Sequence, residues 1–416
     1  MALLTAATRA NHAARTLAAF LLLLGLVGAC ASGSGQRELA DQGPRLGPDG
    51  QPLAGERAPR PSVRVALLLP LTARGNTAAV ARALKQAGEL ALFDFDNPNV
   101  TLLAKDTRGS AEGARDAAAA AVAEGAELII GPLFSKSVAG AAPVARQAGI
   151  PIIAFSSDQK VAGNGVYLLS FLAGRDVPRI VSFATSRGKQ RFAALIPQTA
   201  YGVIVEKSFR QAVSARGGSI VALERFPPDA NGMLEPAKRI AQFARTKDTE
   251  TNTQIEPQVD AIFMPAGPET LPTLSALIPY NEIDTSKIQI LGTGLWDYAN
   301  IGKEKPLVGG WFPAPDPKGW RSFTQRYVKT YEKTPPRLAS LAYDAVSLAV
   351  SLSSNPKGQR YTPQQLTRGS GFAGVDGLFR LRSDGLSDRG LAVLQVQKFG
   401  TSVIDPAPSS FSAAQF

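Results

Sequence analysis

From residue 63 to residue 291, short apolar runs alternate with longer segments whose apolar residues recur every three or four positions. Val65-Ala-Leu-Leu-Leu69 is apolar throughout and is stopped by Pro70, the pattern of a strand covered on both faces. Thr77 to Phe95 then places Val80, Leu84, Ala87 and Ala91 on one helical face. The alternation goes on to predict a strand from Val100 to Ala104, a helix from Ser110 to Glu124 and a strand from Glu127 to Ile130. A helix from Lys136 to Gln147 and a strand from Pro151 to Phe155 follow. A second series predicts helices from Arg175 to Arg187, Tyr201 to Arg216, Leu234 to Ala244 and Thr270 to Pro279. Its strands run from Arg191 to Ile196, Ser219 to Arg225, Asp260 to Met264 and Ile288 to Leu291. Such alternation builds βαβ units, so the predicted fold class is α/β with mainly parallel sheets flanked by helices.

Further on, Leu341, Ala345, Leu348 and Leu352 form a stripe that predicts a helix from Pro336 to Ser353. Gly377 to Leu381 and Leu391 to Val396 read as strands, and residues 405–416 as a loose tail. The start of the chain is different in kind. Residues 1–29 hold Arg9 and Arg15, no acidic residue, and the apolar stretch from Leu17 to Val27, which is too short for a membrane span. A basic start, a short apolar core and small residues at the cut are those of a secretory signal. Gly28-Ala29-Cys30 closes it, and Cys30 is the one cysteine of the chain. Residues 31–61 contain eleven Gly or Pro and only the isolated leucines Leu39, Leu46 and Leu53. A segment of that kind cannot bury a core and reads as a spacer, with a coil span of roughly 30 Å.

Composition narrows the chemistry. The only histidine, His12, falls in the predicted leader, so the mature chain would have neither imidazole nor free thiol. That removes Ser-His-Asp and Cys-His nucleophiles and the usual N/S ligand sets for zinc or copper. A Ser–Lys pair or two carboxylates remain chemically available, but no catalytic residue, metal or cofactor is assigned and the chain reads as non-enzymatic. The net charge of +11 falls by two with the leader, and the basic residues are scattered. An exported protein meets anionic lipid or wall polymer rather than nucleic acid, so no nucleic-acid partner is expected. No Walker loop is present, which disfavours a nucleotide.

Ligands of open parallel sheets sit at the carboxyl ends of strands, on the loops that open helices. Those loops include Gly131-Pro-Leu-Phe-Ser135 and Ser156-Ser-Asp158. Ser110 and Ser135 read as helix N-caps. Serine hydroxyls beside helix N-termini also suit an anion.

Val27-Gly-Ala-Cys30 resembles the bacterial lipobox, which implies lipidation at Cys30 and a membrane tether. Ala31 follows it instead of the aspartate that retains many lipoproteins at the inner membrane, which implies the periplasmic face of the outer membrane. VRVALLLPLT (63–72), AAAAAVAEGAELIIGPLFS (117–135), PVARQAGIPIIAFSSD (143–158), AYG (200–202) and LAYDAV (341–346) together resemble type I periplasmic binding proteins of the leucine/isoleucine/valine-receptor branch. The resemblance implies two α/β lobes joined by three crossovers, with any small-molecule ligand in the cleft between them. The expected organisation is a leader over 1–29, a lipidated spacer over 30–61, lobe one over 62–172 plus about 298–354, lobe two over 173–297 plus about 355–404, and the tail. By the same resemblance Ser135, Ser156 and Ser157 would face a ligand from lobe one and Tyr201 from lobe two, and Asp158, Thr293 and Trp296 beside them complete the candidate cleft. The serines have an alternative use in capping turns, Tyr201 in starting a helix and Trp296 in filling an interdomain surface.

One position departs from amino-acid receptors. Where they usually place an acidic residue for the ligand ammonium, after the strand Ile288 to Leu291, this chain has Gly292-Thr-Gly294. A buried ammonium without a carboxylate costs several kcal/mol. GPLFS, FSSDQKVAGNGVYLLSF (155–171) and GTGLWD (292–297), with the lipobox, resemble the penicillin-binding protein activators, lipoproteins that stimulate a peptidoglycan synthase. The helical N-terminal domain of their best-known members has no counterpart here. The resemblance implies a regulator of wall synthesis, and the alternative is the solute receptor of an importer.

Overall fold

A computed structural model of the chain describes residues 62–95, 99–227, 229, 231–247, 251 and 253–411. The leader, Cys30, the spacer and the last five residues of the tail lie outside the described residues.

The first predicted strand is β1 (Val63–Leu69), and its residues from Val65 to Leu69 are at most 1% exposed. The chain continues through α1 (Asn76–Phe93), β2 (Val100–Asp106), α2 (Ala111–Ala123), β3 (Leu128–Ile130), α3 (Ser135–Gln147), β4 (Ile152–Ala154) and β5 (Val166–Leu168). These strands form one parallel sheet in the order β2-β1-β3-β4-β5. α2 begins at Ser110, whose hydroxyl accepts from the Gly113 N–H at 2.9 Å and satisfies one of the orphan donors of the first turn. Ser135 does not do the same: it is the first residue inside α3, and Phe134 takes the cap position without a side-chain bond.

The second series is α4 (Val177–Ser186), β6 (Arg191–Pro197), α5 (Ala200–Ala215), β7 (Ser219–Phe226), α6 (Leu234–Ala244), β8 (Ala261–Phe263), α7 (Leu271–Tyr280) and β9 (Gln289–Leu291). β10 (Trp311–Ala314) runs parallel beside β9. The chain then returns to the first lobe as α8 (Pro317–Tyr331), α9 (Ala339–Leu352), α10 (Pro363–Leu366) and an antiparallel ribbon of β11 (Phe372–Gly374), β12 (Gly377–Leu381) and β13 (Ser387–Arg389). Finally β14 (Ala392–Gln397) and β15 (Gly400–Asp405) close the second sheet in the order β15-β14-β10-β9-β8-β6-β7.

The lobe boundaries therefore differ from the expected ones. Residues from about 298 to 314 belong to lobe two because β10 hydrogen-bonds to β9 and β14. Residues from about 355 to 390 belong to lobe one, where Phe372, Val375, Phe379 and Leu381 join the core formed by β1, α1 and α9. α8 lay outside the predicted elements. Its Phe323 and Tyr327 are buried, and the Tyr327 hydroxyl donates to Gln86 of α1 at 2.7 Å. The tail is not loose over its described part, since Arg380 of β12 stacks 4.6 Å over the Phe411 ring.

Each sheet is covered on both faces. In lobe one, α1, α8 and α9 cover one face and the alanine-rich α2, with α3, the other. In lobe two, α4 and α5 oppose α6 and α7. The lobes are joined three times, at about 169–176, 315–316 and 390–391, so the fold places three chain segments side by side at the base of the interlobe cleft.

Candidate functional site

A cavity of about 510 Å³ opens where those crossovers meet. Its walls draw on every part of the chain that the fold converges there. Ser157 comes from the loop after β4, and Ser170 to Asp176 from the first crossover. Tyr201 and Ile204 come from α5, Gly294, Leu295 and Asp297 from the loop after β9, Ser387 and Arg389 from β13, and Leu391 from the third crossover. Arg337, ahead of α9, completes it. The volume lies within the usual range for small-molecule sites. A larger hollow of about 640 Å³ sits at the opposite, amino-terminal end of the lobe-one strands, around Glu127, Ile152 and Tyr361. There the Arg360 guanidinium and the Glu127 carboxylate already satisfy each other at 2.8 Å. The cleft cavity is the better candidate because it lies at strand carboxyl ends, between lobes.

The structure brings two of the sequence-predicted residues to this cavity, Ser157 and Tyr201. Tyr201 opens α5, and Gly202 lets the helix approach β6: a Cβ there would meet the Pro197 carbonyl oxygen at 1.8 Å. The Tyr201 and Thr293 hydroxyls share a hydrogen bond of 2.8 Å. Burial pushes the Tyr201 hydroxyl well above the ordinary tyrosine value, and the nearby Asp176 charge adds to the rise. Thr293 itself is fully buried behind that contact.

The others are engaged elsewhere. Ser156 is 4% exposed, and its hydroxyl accepts from the Asp158 N–H at 3.2 Å. Asp158 in turn caps a short helical turn by accepting from the Lys160 N–H at 3.1 Å. Ser135 lies outside the cavity wall, in the first turn of α3. Trp296 has no exposed surface, and its indole N–H donates to the Met264 carbonyl at 3.2 Å. The ring packs so tightly on Gly292 that a Cβ at that position would fall 2.2 Å from it. Trp296 is thus a pillar of the lobe-two core, and its neighbour Leu295 is the residue that reaches the cavity.

Five charged residues of the site escaped sequence reasoning: Arg175, Asp176, Asp297, Arg337 and Arg389. Asp176 and Asp297 put two carboxylates on the cavity wall, whereas the expected Asp158 does not line it. Asp176 accepts from the Gly294 N–H at 2.7 Å, and burial lifts its pKa above the ordinary carboxylate value against the pull of that bond. Arg337 pairs with the fully buried Asp376 at 2.6 Å and stacks 4.6 Å over Trp320 and 4.9 Å over Phe171. No local signal marks these residues. They lie up to 213 positions apart, as Arg175 and Asp388 do, and only the crossovers bring them together. Among the described residues no group of three or more His, Cys, Asp or Glu side chains could hold a metal ion, and no helix is long and apolar enough to cross a membrane.

The architecture has relatives. Over 176 residues, 42% of each chain, the protein is 24% identical to a "Leu/Ile/Val-binding protein homolog 6" from Brucella melitensis biotype 1, so the match spans less than half the length of that curated relative. A putative branched-chain amino acid ABC transporter protein from Rhodospirillum rubrum superposes with a TM-score of 0.70 at 19% identity, covering 82% of this chain and all of that one. The LpoA (YraM) C-domain from Haemophilus influenzae, described as a regulator of PBP1A, gives 0.62 at 14% identity, covering 82% of this chain and 99% of that one. At such identities the likeness is one of fold. A model of the periplasmic binding protein family matches residues 62–401, which is nearly all of the two-lobed domain and its crossovers, and the chain belongs to that family.

Proposed function

We propose that the protein is a lipid-anchored, non-enzymatic component of the cell envelope that uses its binding-protein fold to regulate peptidoglycan synthesis, as penicillin-binding protein activators do. One observation carries this reading. Groups expected to meet a ligand already hold one another, and a cleft carboxylate beside them is also engaged: Tyr201 bonds Thr293, Ser156 takes the Asp158 N–H, and Asp176 takes the Gly294 N–H. Breaking each such bond to admit a solute costs about 1 kcal/mol net, more where a buried partner is left unpaired. The predicted lipobox at Cys30 and the Gly/Pro-rich spacer support a tether that reaches from the outer membrane toward the wall. The LpoA C-domain supports the idea that this fold is compatible with such a role.

The test is a pull-down from membrane extract with the lipidated chain, followed by an assay of glycan cross-linking by whatever synthase is recovered. Stimulated cross-linking, and co-fractionation with outer-membrane markers that Cys30→Ala abolishes, are the expected results. Inner-membrane location with no synthase recovered would sink the reading.

A second reading, the solute receptor of an ABC importer, is favoured by the cavity itself, which is roomy and lined by Asp176, Asp297 and Arg337. Micromolar binding of a common amino acid in calorimetry would move the assignment there.

A further inference from the structure

β13 carries an imbalance that the packing of the fold does not explain. Successive side chains of a strand point to opposite faces. Asp388 takes one face and is well satisfied, by Arg175 and by the Arg380 Nε at 3.0 Å. Ser387 and Arg389 share the other face, and both line the cleft cavity. Ser387 is 3% exposed, and its hydroxyl has no hydrogen-bond partner among the described residues. The Arg389 side chain is 7% exposed, and Nε and both terminal nitrogens are likewise without hydrogen-bond partners. The nearest carboxylate oxygen, Asp344 Oδ2, stands 3.8 Å away, too far for a hydrogen bond, while Asp344 Oδ1 is used by the Val375 N–H at 2.7 Å.

A guanidinium offers five N–H donors. Burying them unpaired carries a desolvation penalty that no acceptor among the described residues offsets. Aromatic stacking compensates only in part: the Phe171 ring lies 5.0 Å from the Arg389 guanidinium carbon and 4.9 Å from that of Arg337, and it offers neither of them a hydrogen-bond acceptor in its plane. The deficit calls for an acceptor. Arg337 is matched by Asp376 and Arg175 by Asp388, whereas Arg389 has only the Asp344 carboxylate, 3.8 Å away and beyond hydrogen-bond reach. One carboxylate would supply the acceptors that its donors lack. A dianion would face Asp176 and Asp297 across the same space.

We propose that Ser387 and Arg389 form a carboxylate subsite in the floor of the cleft, for a small monocarboxylate whose apolar body rests against Phe171, Leu172 and Leu391. Phe171 is its cover. The donors are sealed from solvent, so a carboxylate reaches them when the ring turns aside and exchanges a cation–π contact for a charge-assisted pair. The subsite is distinct from the Ser135, Ser156, Ser157 and Tyr201 positions that resemblance would assign to an amino acid. It rests on the cleft admitting a solute, and on no partner enzyme.

The experiment titrates the full chain with phenylacetate and hexanoate, by thermal shift and calorimetry. Inorganic phosphate and the uncharged 2-phenylethanol are the controls. The carboxylates should bind and raise the unfolding temperature, and the two controls should do neither. Arg389→Met should abolish the shift, and Ser387→Ala should weaken binding about tenfold or more, the loss of one charge-assisted hydrogen bond. No binding of either carboxylate, equal binding of the alcohol, or affinity unchanged in Ser387→Ala would overturn the proposal. Ser387→Ala removes one oxygen, so it keeps the test decisive even where Arg389→Met fails to fold. Synthase stimulation is read in a separate assay, and its loss with carboxylate binding intact would sink the regulator reading alone.

Discussion

Arg175 and Asp388 join the first crossover to the third: the guanidinium of one meets the nearly buried carboxylate of the other across 213 positions of sequence. Asp388 also receives Arg380 at 3.0 Å and stands 3.7 Å from Arg382. Arg175→Ala leaves Asp388 with those partners and should cost about 1 kcal/mol. Asp388→Ala takes the nearly buried carboxylate from Arg175 and Arg380, while Arg382 keeps Asp384 at 2.9 Å, and should cost about 3 kcal/mol, as the loss of a buried partner does. Urea unfolding of the two variants checks the order; equal losses would show that the crossovers are not held through Asp388.

Trp296→Ala should destabilise lobe two by about 3–5 kcal/mol, the range for removing a large buried aromatic. The expectation follows from its complete burial and its bond to Met264. A variant of native stability with altered solute binding would return Trp296 to the cleft.

Tyr201→Phe deletes one hydroxyl and leaves the buried Thr293 oxygen without its 2.8 Å partner. A loss of about 1–2 kcal/mol is expected in thermal unfolding. Thr293→Val, which removes the stranded group, should recover part of it when combined with Tyr201→Phe. Strict additivity of the two losses would mean that the hydroxyls do not interact.

Stability should fall as pH rises from about 4 to about 7. Burial, and then the neighbouring Asp376 charge, raise the Asp344 carboxyl from an ordinary 3.8 to about 7 in the folded chain, against the pull of Arg389 and the Val375 N–H. The folded state therefore binds the extra proton across that window, and its stabilising effect is lost as pH climbs through the folded value. One proton limits the slope to about 1.4 kcal/mol per pH unit. Asp344→Asn should flatten the profile. Lowered carboxylates such as Asp106 and Asp260 act the opposite way and only under more acid conditions. An unchanged slope in Asp344→Asn would rule out this source.

The α/β order was legible because its signals are local. Val65 to Leu69 reads as a doubly covered strand, and Ala114, Ala118 and Ala121 as a close-packing helix, and both are so placed. α8 escaped because its buried stripe is only Phe323 and Tyr327, set among charged residues. β13 escaped because Ser387-Asp388-Arg389 carries no apolar alternation, its strand character being imposed by pairing with β12. The site followed the same division. Ser157 was found through loop position and Tyr201 through the resemblance at AYG (200–202), whereas Trp296 was offered to a ligand because a sequence does not say which face of a turn meets a core. Asp176, Arg337 and Arg389 owe their proximity to three returns of the chain, and no window of sequence contains that.

Those returns also set a mechanical scale. A group seated where the three crossovers meet lies beside the pivot of the two lobes, on the short arm of a lever whose long arm is the lobe itself. A ring such as Phe171 turning there would wedge the crossovers by little, yet the outer helices, at the lobe tips, would sweep a larger arc. Whatever surface reads this protein from outside would then sense the cleft most strongly at the ends farthest from it.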